Sequence, residues 1–177
     1  MNKIVSTLGV GLSLGMLLVT APQAPALTIT QLSNQQVGHP PFPATACVDV
    51  QNASTASATP VGPFPCNNQF NEQWIYEHGR FIGVGTHTAS IISPTVIETC
   101  LSVHGNSTTS GAGVELDTCI RGNRSQLWDV RGDGTTSQIV NVASGLCLDS
   151  RGEIGGGLQL IINVCNVDAA GQHWLLK

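Results

Sequence analysis

The sequence predicts an all-β fold built from three four-stranded repeats with pseudo-threefold symmetry. Cysteine and tryptophan recur three times in one order, at intervals that barely change. Only 10% of the 177 residues are charged and 20 are Gly, while Val, Ile, Thr and Ser are frequent. Such a composition, without helical periodicity, favours short strands joined by turns.

The first 26 residues have the layout of an export signal. Lys3 supplies a positive charge, and an uncharged stretch follows from Ile4 to Val19. Ala24-Pro25-Ala26 then offers the small-x-small pattern that a signal peptidase cleaves. We therefore expect residues 1–26 to be removed, which leaves a secreted or periplasmic protein without a membrane span. A retained membrane anchor is the alternative.

Residues 27–44, rich in Pro and Gln, predict a loose entry segment with one strand from Leu27 to Leu32. Residues 45–177 then predict one domain, because a chain of this length forms a single core. The formal net charge of −4 leaves no basic surface for phosphates, so nucleic acid and anionic membranes are poor partners. The three repeats of the domain span about 45–98, 99–145 and 146–177.

Each repeat contains a first Cys, a second Cys and a Trp in that order. The two Cys are separated by 19, 19 and 18 residues, and the Trp follows the second Cys by 8, 9 and 9 residues. The equal placement of the three Trp predicts that they lie in the core. The three sets are Cys47, Cys66 and Trp74; Cys100, Cys119 and Trp128; and Cys147, Cys165 and Trp174.

Pairing the Cys within each repeat treats the three copies alike, although six Cys allow 15 pairings in principle. We therefore predict three disulfides, each closing a loop that stabilises the fold by about 3 kcal/mol. Disulfides agree with export to an oxidising compartment. Free thiols or metal ligands are the alternative, but no Cys-x-x-Cys or Cys/His cluster supports a metal site, and no cofactor is expected. The predicted pairs are Cys47–Cys66, Cys100–Cys119 and Cys147–Cys165.

A propeller needs four or more blades to close, so three copies of about 50 residues point to another architecture. Three four-stranded units that close around a pseudo-threefold axis form a β-trefoil, which leaves few strand edges exposed. In each unit we expect strands around the first Cys, before the second Cys, at the Trp and after the next turn. His78-Gly79 and Asp133-Gly134 predict such turns. The first unit is longer than the second, which predicts a surface insertion at Thr86 to Pro94.

Two short motifs recur at the repeated intervals, and together with the run from Trp128 to Ser150 they carry a resemblance. Residues 44–177 resemble the ricin-B-type lectins, a family of β-trefoil carbohydrate-binding modules. The resemblance implies binding of galactose-type sugars in shallow sites, one in each repeat. The motifs are Gln-x-Trp at Gln126-Leu127-Trp128 and Gln172-His173-Trp174, and Cys-Val/Leu-Asp at Cys47-Val48-Asp49 and Cys147-Leu148-Asp149.

A shallow sugar site needs a carboxylate to accept hydroxyl protons and an aromatic ring to cover the apolar face of the sugar. Amide side chains complete the site because they both accept and donate. The resemblance places the carboxylate directly after the first Cys and the ring two residues before the second Cys. It places the polar amides just ahead of the Trp.

The first repeat meets these demands best, and it is the preferred site. It has Asp49, Phe64 and Asn71, with Glu72 where the family has Gln. The third repeat keeps Asp149 and Gln172 but has Asn163 in place of the ring, so we expect weaker binding there. The second repeat has Ser102, Asp117 and Gln126 and is expected to be inactive.

Each of these residues also has a purely structural interpretation. Asp49 and Asp149 could cap turns by accepting backbone N–H bonds, as Asp often does in loops. Phe64 could pack on the prolines beside it, and the signature Gln residues could support backbone turns. Recognition is therefore predicted from the set of residues and from no single one.

No nucleophile with a base, no paired carboxylates and no metal set is recognisable, so we expect a binding protein and not an enzyme. Glycans or glycoproteins are the expected partners. The alternative function is a β-trefoil scaffold, such as a toxin-type recognition subunit, that binds a protein partner without binding sugar. Asn52, Asn106 and Asn123 each begin an Asn-x-Ser/Thr sequon, which becomes a glycan acceptor only in a source that glycosylates exported proteins.

Overall fold

The computed structural model describes residues 29–34, 45–84, 98–132, 137–155 and 157–177. The predicted signal peptide, the Thr86 to Pro94 insertion and the Asp133-Gly134 turn lie outside these residues. Within these ranges, no helix has both the length and the apolar character needed to cross a membrane.

The described residues form an all-β fold in which twelve short strands are joined by turns. Most strands are only three to six residues long, as expected for a chain of β-branched segments interrupted by Gly and Pro. Short 3-10 helices lie at Gln51–Ala53, Phe70–Glu72, His104–Asn106, Arg124–Gln126 and Ala170–Gln172. The strands are β1 (Ile29–Asn34), β2 (Ala46–Val50), β3 (Thr59–Pro65), β4 (Gln73–Glu77), β5 (Arg80–Gly83), β6 (Thr99–Val103), β7 (Val114–Thr118), β8 (Trp128–Arg131), β9 (Gln138–Asn141), β10 (Cys147–Asp149), β11 (Ile161–Asn163) and β12 (Leu175–Leu176).

The predicted threefold repetition is present in the pairing of the strands. Each unit opens with an antiparallel hairpin, β2–β3, β6–β7 or β10–β11, in which the first Cys faces the position two residues before the second Cys. The opposed pairs are Cys47 and Phe64, Cys100 and Asp117, and Cys147 and Asn163. This common register establishes the β-trefoil that the repeats predict.

The third unit differs from its predicted boundary at 146–177, because the described residues of that range supply only three strands. The fourth strand is β1, which pairs with β12 through Leu32 and Leu176 and with β2 through Ser33 and Cys47. Without β1, the edges of β12 and β2 would have no partner, and unpaired strand edges promote aggregation. Part of segment 27–44 is thus an ordered strand, ending two residues later than the predicted end at Leu32.

The three predicted disulfides are present, one in each unit. Their S–S distances are 2.04, 2.00 and 2.02 Å for Cys47–Cys66, Cys100–Cys119 and Cys147–Cys165. Each bond ties the start of the first hairpin strand to the segment that follows the second strand.

The three Trp side chains lie at the centre of the molecule, each with 0% exposure. Their indole Nε1–H groups donate to the carbonyl oxygens of Val48, Leu101 and Leu148 at 3.0, 2.9 and 3.0 Å. A buried indole needs such a partner for its N–H, and the same solution is used three times. The core therefore repeats with the units.

The predicted turn at His78-Gly79 joins β4 to β5 as a two-residue hairpin loop, flanked by the pair Glu77 and Arg80. Both residues have positive φ, at 49° and 77°, as a type I′ turn requires. The turn brings β5 back along β4 toward the next unit.

Candidate functional site

A pocket of about 530 Å³ opens at the first unit. Most of its walls come from the β2–β3 hairpin and the two short 3-10 helices of that unit, and one wall comes from the third unit. The lining residues are Asp49, Gln51, Asn52, Ala53, Gly62, Phe64, Asn67, Gln69, Asn71, Gly155, Gly157 and Leu158.

Asp49 forms the polar end of this pocket, near the end of β2 and opposite Gly62. Its side chain is only 6% exposed, and Asn71 Nδ2 donates to its Oδ2 at 2.6 Å. Asn71 Nδ2 also donates to the carbonyl oxygen of Val50 at 3.3 Å, which orients the amide. Asn71 Oδ1 is buried and has no hydrogen-bond partner among the described residues. A carboxylate and an amide with an unused acceptor therefore lie side by side.

Burial, and then the charge of Glu72, raise the pKa of Asp49 to about 7. Both effects disfavour the ionised carboxylate, because burial removes water from it and a like charge repels it. The group therefore titrates close to neutral pH. A ligand that donates hydrogen bonds to the ionised form would lower this pKa again.

Phe64 presents its ring to the pocket from β3, with 37% of the residue exposed. Pro63 and Pro65 hold the backbone on either side of it in an extended conformation, which the register with Cys47 confirms. The ring thus lies on the same hairpin as Asp49. Three of the predicted residues, Asp49, Phe64 and Asn71, line one pocket.

Glu72, the fourth predicted residue of this site, is 0% exposed and does not line the pocket. Its carboxylate accepts the backbone N–H groups of Asn67 and Asn68 at 3.0 and 2.9 Å, and Gln31 Nε2 donates to it at 3.0 Å. Glu72 therefore holds in place the loop that carries Asn67, a pocket residue.

The counterparts of Glu72 in the other units have the same supporting position. The Oε1 atoms of Gln126 and Gln172 accept the backbone N–H groups of Ile120 and Asn166, both at 2.8 Å. Their Nε2 groups donate to carbonyl oxygens one residue before the second Cys, at 2.8 and 2.9 Å. A signature Gln thus ties its 3-10 helix to the loop after the second hairpin strand. In the first unit, Glu72 keeps the accepting half of this arrangement.

The wall from the third unit was missed by the sequence analysis. Gln51 Nε2 donates to the carbonyl oxygen of Leu158 at 3.1 Å. The backbone N–H of Gly155 donates to the carbonyl oxygen of Pro63 at 3.0 Å. A Cβ atom at Gly62 would lie 2.2 Å from the Leu158 oxygen, so this approach requires glycine. The run Gly155-Gly156-Gly157 inside a hairpin loop was the available sequence signal.

The predicted residues of the third unit also meet, but they bind one another. Asp149 is 5% exposed, and its Oδ2 accepts from Asn163 Nδ2 at 3.1 Å and from Gln172 Nε2 at 3.0 Å. Its Oδ1 accepts the backbone N–H of Arg151 at 2.6 Å, which is the turn-capping role. Gly171 occupies the position of the pocket amide, and a Cβ there would lie 2.6 Å from Asp149 Oδ1.

The second unit has no carboxylate at the position of Asp49. Ser102 is buried there, opposite Glu115 on β7. Glu115 is bound by His104 Nδ1 at 2.7 Å. Asp117, in the ring position, accepts a hydrogen bond from the Ser57 hydroxyl and one from the backbone N–H of Thr118 at 2.8 Å.

A model of the ricin-type beta-trefoil lectin domain matches residues 41–174 of the chain. A search of curated proteins found no match.

Solved structures with the same fold include a designed threefold-symmetric protein and two plant proteins. The designed protein, ThreeFoil, has a TM-score of 0.66 at 22% identity, over 84% of this chain and 96% of its own. The agglutinin from Abrus precatorius has a TM-score of 0.60 at 20% identity, over 88% of this chain and 51% of its own. A non-toxic homologue of type II ribosome-inactivating proteins from Momordica charantia, solved with α-methyl-D-galactoside, has a TM-score of 0.60 at 25% identity, over 83% of this chain and 46% of its own. The chain thus spans about half the length of these two plant proteins.

Proposed function

The chain belongs to the family of ricin-type beta-trefoil lectin domains, and from this premise we propose that it binds carbohydrate in the first-unit pocket. Membership of a lectin-domain family supports carbohydrate binding in general. One observation carries the assignment to this pocket: Asp49, Asn71 and Phe64 line an open cavity. In the third unit, by contrast, the Asp149 carboxylate accepts from both Asn163 and Gln172.

The chemistry of the pocket suits a neutral sugar. Sugar hydroxyls would donate to the Asp49 carboxylate, and one of them could reach the acceptor of Asn71 after a small shift of the amide. The half-exposed ring of Phe64 would cover the C–H face of the sugar. Gln51 and Gln69 add exposed or partly exposed amides at the rim of the pocket.

We propose a galactose-type sugar, carried by a glycan or a glycoprotein, as the ligand. The family resemblance supports this choice, and so does the Momordica charantia protein, which was solved with a galactoside. We further propose that the protein binds its ligand without transforming it. Its three disulfides are typical of oxidising compartments and support the proposal that it is secreted.

A glycan array probed with residues 27–177 tests this proposal, with Asp49→Asn as the site variant and Asp149→Asn as the matched control. Asp149→Asn makes the same change in the third unit, where the carboxylate is engaged internally. We expect Asp49→Asn to weaken binding at least about tenfold, since a hydrogen bond to a charged group contributes about 1.5–3 kcal/mol. We expect Asp149→Asn to retain binding, with near-UV circular dichroism showing that both variants are folded.

Individual sites of this type are weak, with a Kd of about 1 mM, so the array must carry glycans at high density. Equal loss in both variants would contradict the assignment to the first unit. The absence of binding to every glycan would contradict carbohydrate binding itself and favour the scaffold function.

A further inference from the structure

The pocket at the first unit is larger than one hexose requires. Its volume is about 530 Å³. A water molecule in the liquid occupies about 30 Å³, and covalently bonded atoms pack more closely than separate waters, so the twelve non-hydrogen atoms of a hexose fill less than about 360 Å³. A single sugar held by Asp49 would leave part of the pocket empty.

In the other two units, a loop of the preceding unit binds the residue at the ring position through a serine. The Ser57 hydroxyl, in the first hairpin loop of the first unit, donates to Asp117 in the second unit. The Ser110 hydroxyl, in the same loop of the second unit, donates to Asn163 Oδ1 in the third unit at 2.7 Å. Asp117 and Asn163 are the counterparts of Phe64, so each serine binds the residue at the ring position of the next unit.

At the first unit, the covering loop belongs to the third unit and contains the glycine run 155–157. Gly155 and Gly157 line the pocket and carry no side chain that could reach Phe64, and Phe64 offers no polar atom to a serine. A Cβ atom at Gly157 would meet nothing within 4 Å. The loop therefore bounds the pocket without closing it.

The rim beside this loop carries Asn52, which has no equivalent in the other units. Asn52 is exposed, and it adopts a left-handed conformation with φ of 56°. The matching positions are Gly105 and Gly152, with φ of 60° and 76°. An amide at a position that favours glycine thus adds exposed donors and an acceptor to the lining of the pocket.

We propose that this pocket is a two-sugar site, in which the second residue of the glycan lies between Asn52 and the backbone of Gly157 and Leu158. The inference rests on the proposed function, with the terminal sugar held by Asp49, Asn71 and Phe64. The third unit thereby makes binding depend on the length of the glycan, because its glycine loop leaves room for the second sugar. The ligand class is an oligosaccharide of at least two residues.

The first test compares glycans that differ only in length. An array that presents each terminal sugar alone, at the end of a disaccharide and at the end of a trisaccharide identifies which terminal sugar is bound. Calorimetry then measures the affinity for that monosaccharide and for the corresponding disaccharide. We expect the disaccharide to bind at least about tenfold more tightly, the effect of about 1.4 kcal/mol of added contact. Equal affinities for the two would overturn the two-sugar site while leaving the proposed function intact.

The second test fills the space at the loop with Gly157→Asn. Asn tolerates the left-handed conformation better than most residues, and Gly122→Asn is a matched control because φ is 82° at Gly157 and 83° at Gly122, with open space at both. We expect Gly157→Asn to remove the preference for the disaccharide and to leave monosaccharide affinity unchanged. Gly122→Asn should keep the preference, and a Gly157→Asn protein that also keeps it would overturn the proposal.

A third variant avoids any added backbone strain. Asn52→Gly introduces the residue type that the other units have at this position, so the fold is retained. We expect a loss of about tenfold in disaccharide affinity alone. An unchanged disaccharide affinity in Asn52→Gly would contradict the placement of the second sugar. The proposed function is tested separately, by the loss of monosaccharide binding in Asp49→Asn.

Discussion

At the scale of single residues, the titration of Asp49 links its environment to ligand binding. Burial and the Glu72 charge raise its pKa to about 7, whereas the ordinary value is 3.8. The ionised carboxylate accepts at both oxygens and is the stronger acceptor for hydroxyl groups, so it is the binding-competent form, and its fraction rises with pH. We expect affinity for the array-selected glycan to increase about tenfold from about pH 6 to pH 8, because the ionised fraction rises by that factor. Calorimetry at several pH values measures this increase.

Two variants show whether this pH dependence belongs to Asp49. In Asp49→Asn the residual affinity should not change over the same pH range. In Glu72→Gln the midpoint should move to lower pH, because the variant removes a charge that raises the pKa of Asp49. A flat wild-type profile, or an unchanged midpoint in Glu72→Gln, would contradict this account.

The same shift has a consequence for stability with a definite sign. The pKa of Asp49 is raised on folding. Between about pH 4 and pH 7, the folded protein therefore holds a proton that the unfolded chain has already released. The free energy of unfolding should therefore fall as pH rises through this range and level off above it. Urea unfolding of wild type and Asp49→Asn measures the difference, and equal slopes in the two proteins would count against it.

The family resemblance placed the carboxylate at Asp49 and the ring at Phe64, and both residues line the pocket. Asp49 and Phe64 lie on one hairpin because their distances from the two Cys determine their strand positions. The sequence did not predict that Glu72 would face inward, since adjacent positions in a 3-10 helix point about 120° apart and the sequence does not say which direction is covered. Gln31, which binds Glu72, lies 41 residues away in the chain.

At the scale of elements, the contact between β3 and the third-unit loop depends on Gly62. A Cβ atom there would lie 2.2 Å from the backbone oxygen of Leu158, which cannot move without displacing the loop. We expect Gly62→Ala to destabilise the protein by about 1–3 kcal/mol, the usual effect of overpacking. The measurement is urea unfolding, combined with glycan binding.

Gly113→Ala is the control for this prediction. A Cβ atom at Gly113 would lie 2.7 Å from Gln159, but the contact is with the end of a flexible side chain that can move away. Neither glycine has a positive φ. Equal destabilisation by the two substitutions would show that backbone approach at Gly62 is not the cause.

The hairpins and disulfides could be predicted from sequence because they are local and repeated. The contacts between loops of different units could not. Ser57 lies 60 residues from Asp117, and Ser110 lies 53 residues from Asn163, so the partners are far apart in the chain. Such contacts become visible only when the units are assembled.

At the scale of the whole molecule, β1 closes the fold by completing the third unit. Its backbone exchanges hydrogen bonds with the chain end, from Gln31 N–H to the Lys177 oxygen at 2.8 Å and from Lys177 N–H to the Gln31 oxygen at 3.1 Å. Leu32 on β1 is fully buried in the core. Since β1 also pairs with β4, removing the strand would expose edges of β2, β4 and β12 and open the core at once.

We therefore expect residues 35–177 to fail to fold, whereas residues 27–177 fold cooperatively. The truncated chain would lose Leu32 from the core, and burying a Leu contributes about 1.5–3 kcal/mol before any backbone pairing is counted. Thermal unfolding followed by circular dichroism compares the two chains. A cooperative transition in 35–177 at the temperature of the longer chain would show that β1 is dispensable.

Repetition in the sequence predicted the β-trefoil, but it did not predict that β1 supplies the fourth strand of the third unit. The described residues of the third repeat form three strands, and β1 has no Cys or Trp to mark it as part of a unit. Its place is determined by the unpaired edges of β12 and β2, a property of the assembled sheet.

The backbone pairing of Gln31 with Lys177 makes this protein suited to circular permutation. Lys177 and Gln31 face each other as Glu77 and Arg80 do beside the His78-Gly79 turn. The third unit is built from two separate parts of the chain. A short turn placed between residues 177 and 29, with a new start after Asn34, would make this unit continuous in sequence. Each of the three units would then emerge whole during synthesis, and the fold would close when β1, now the last strand, is made.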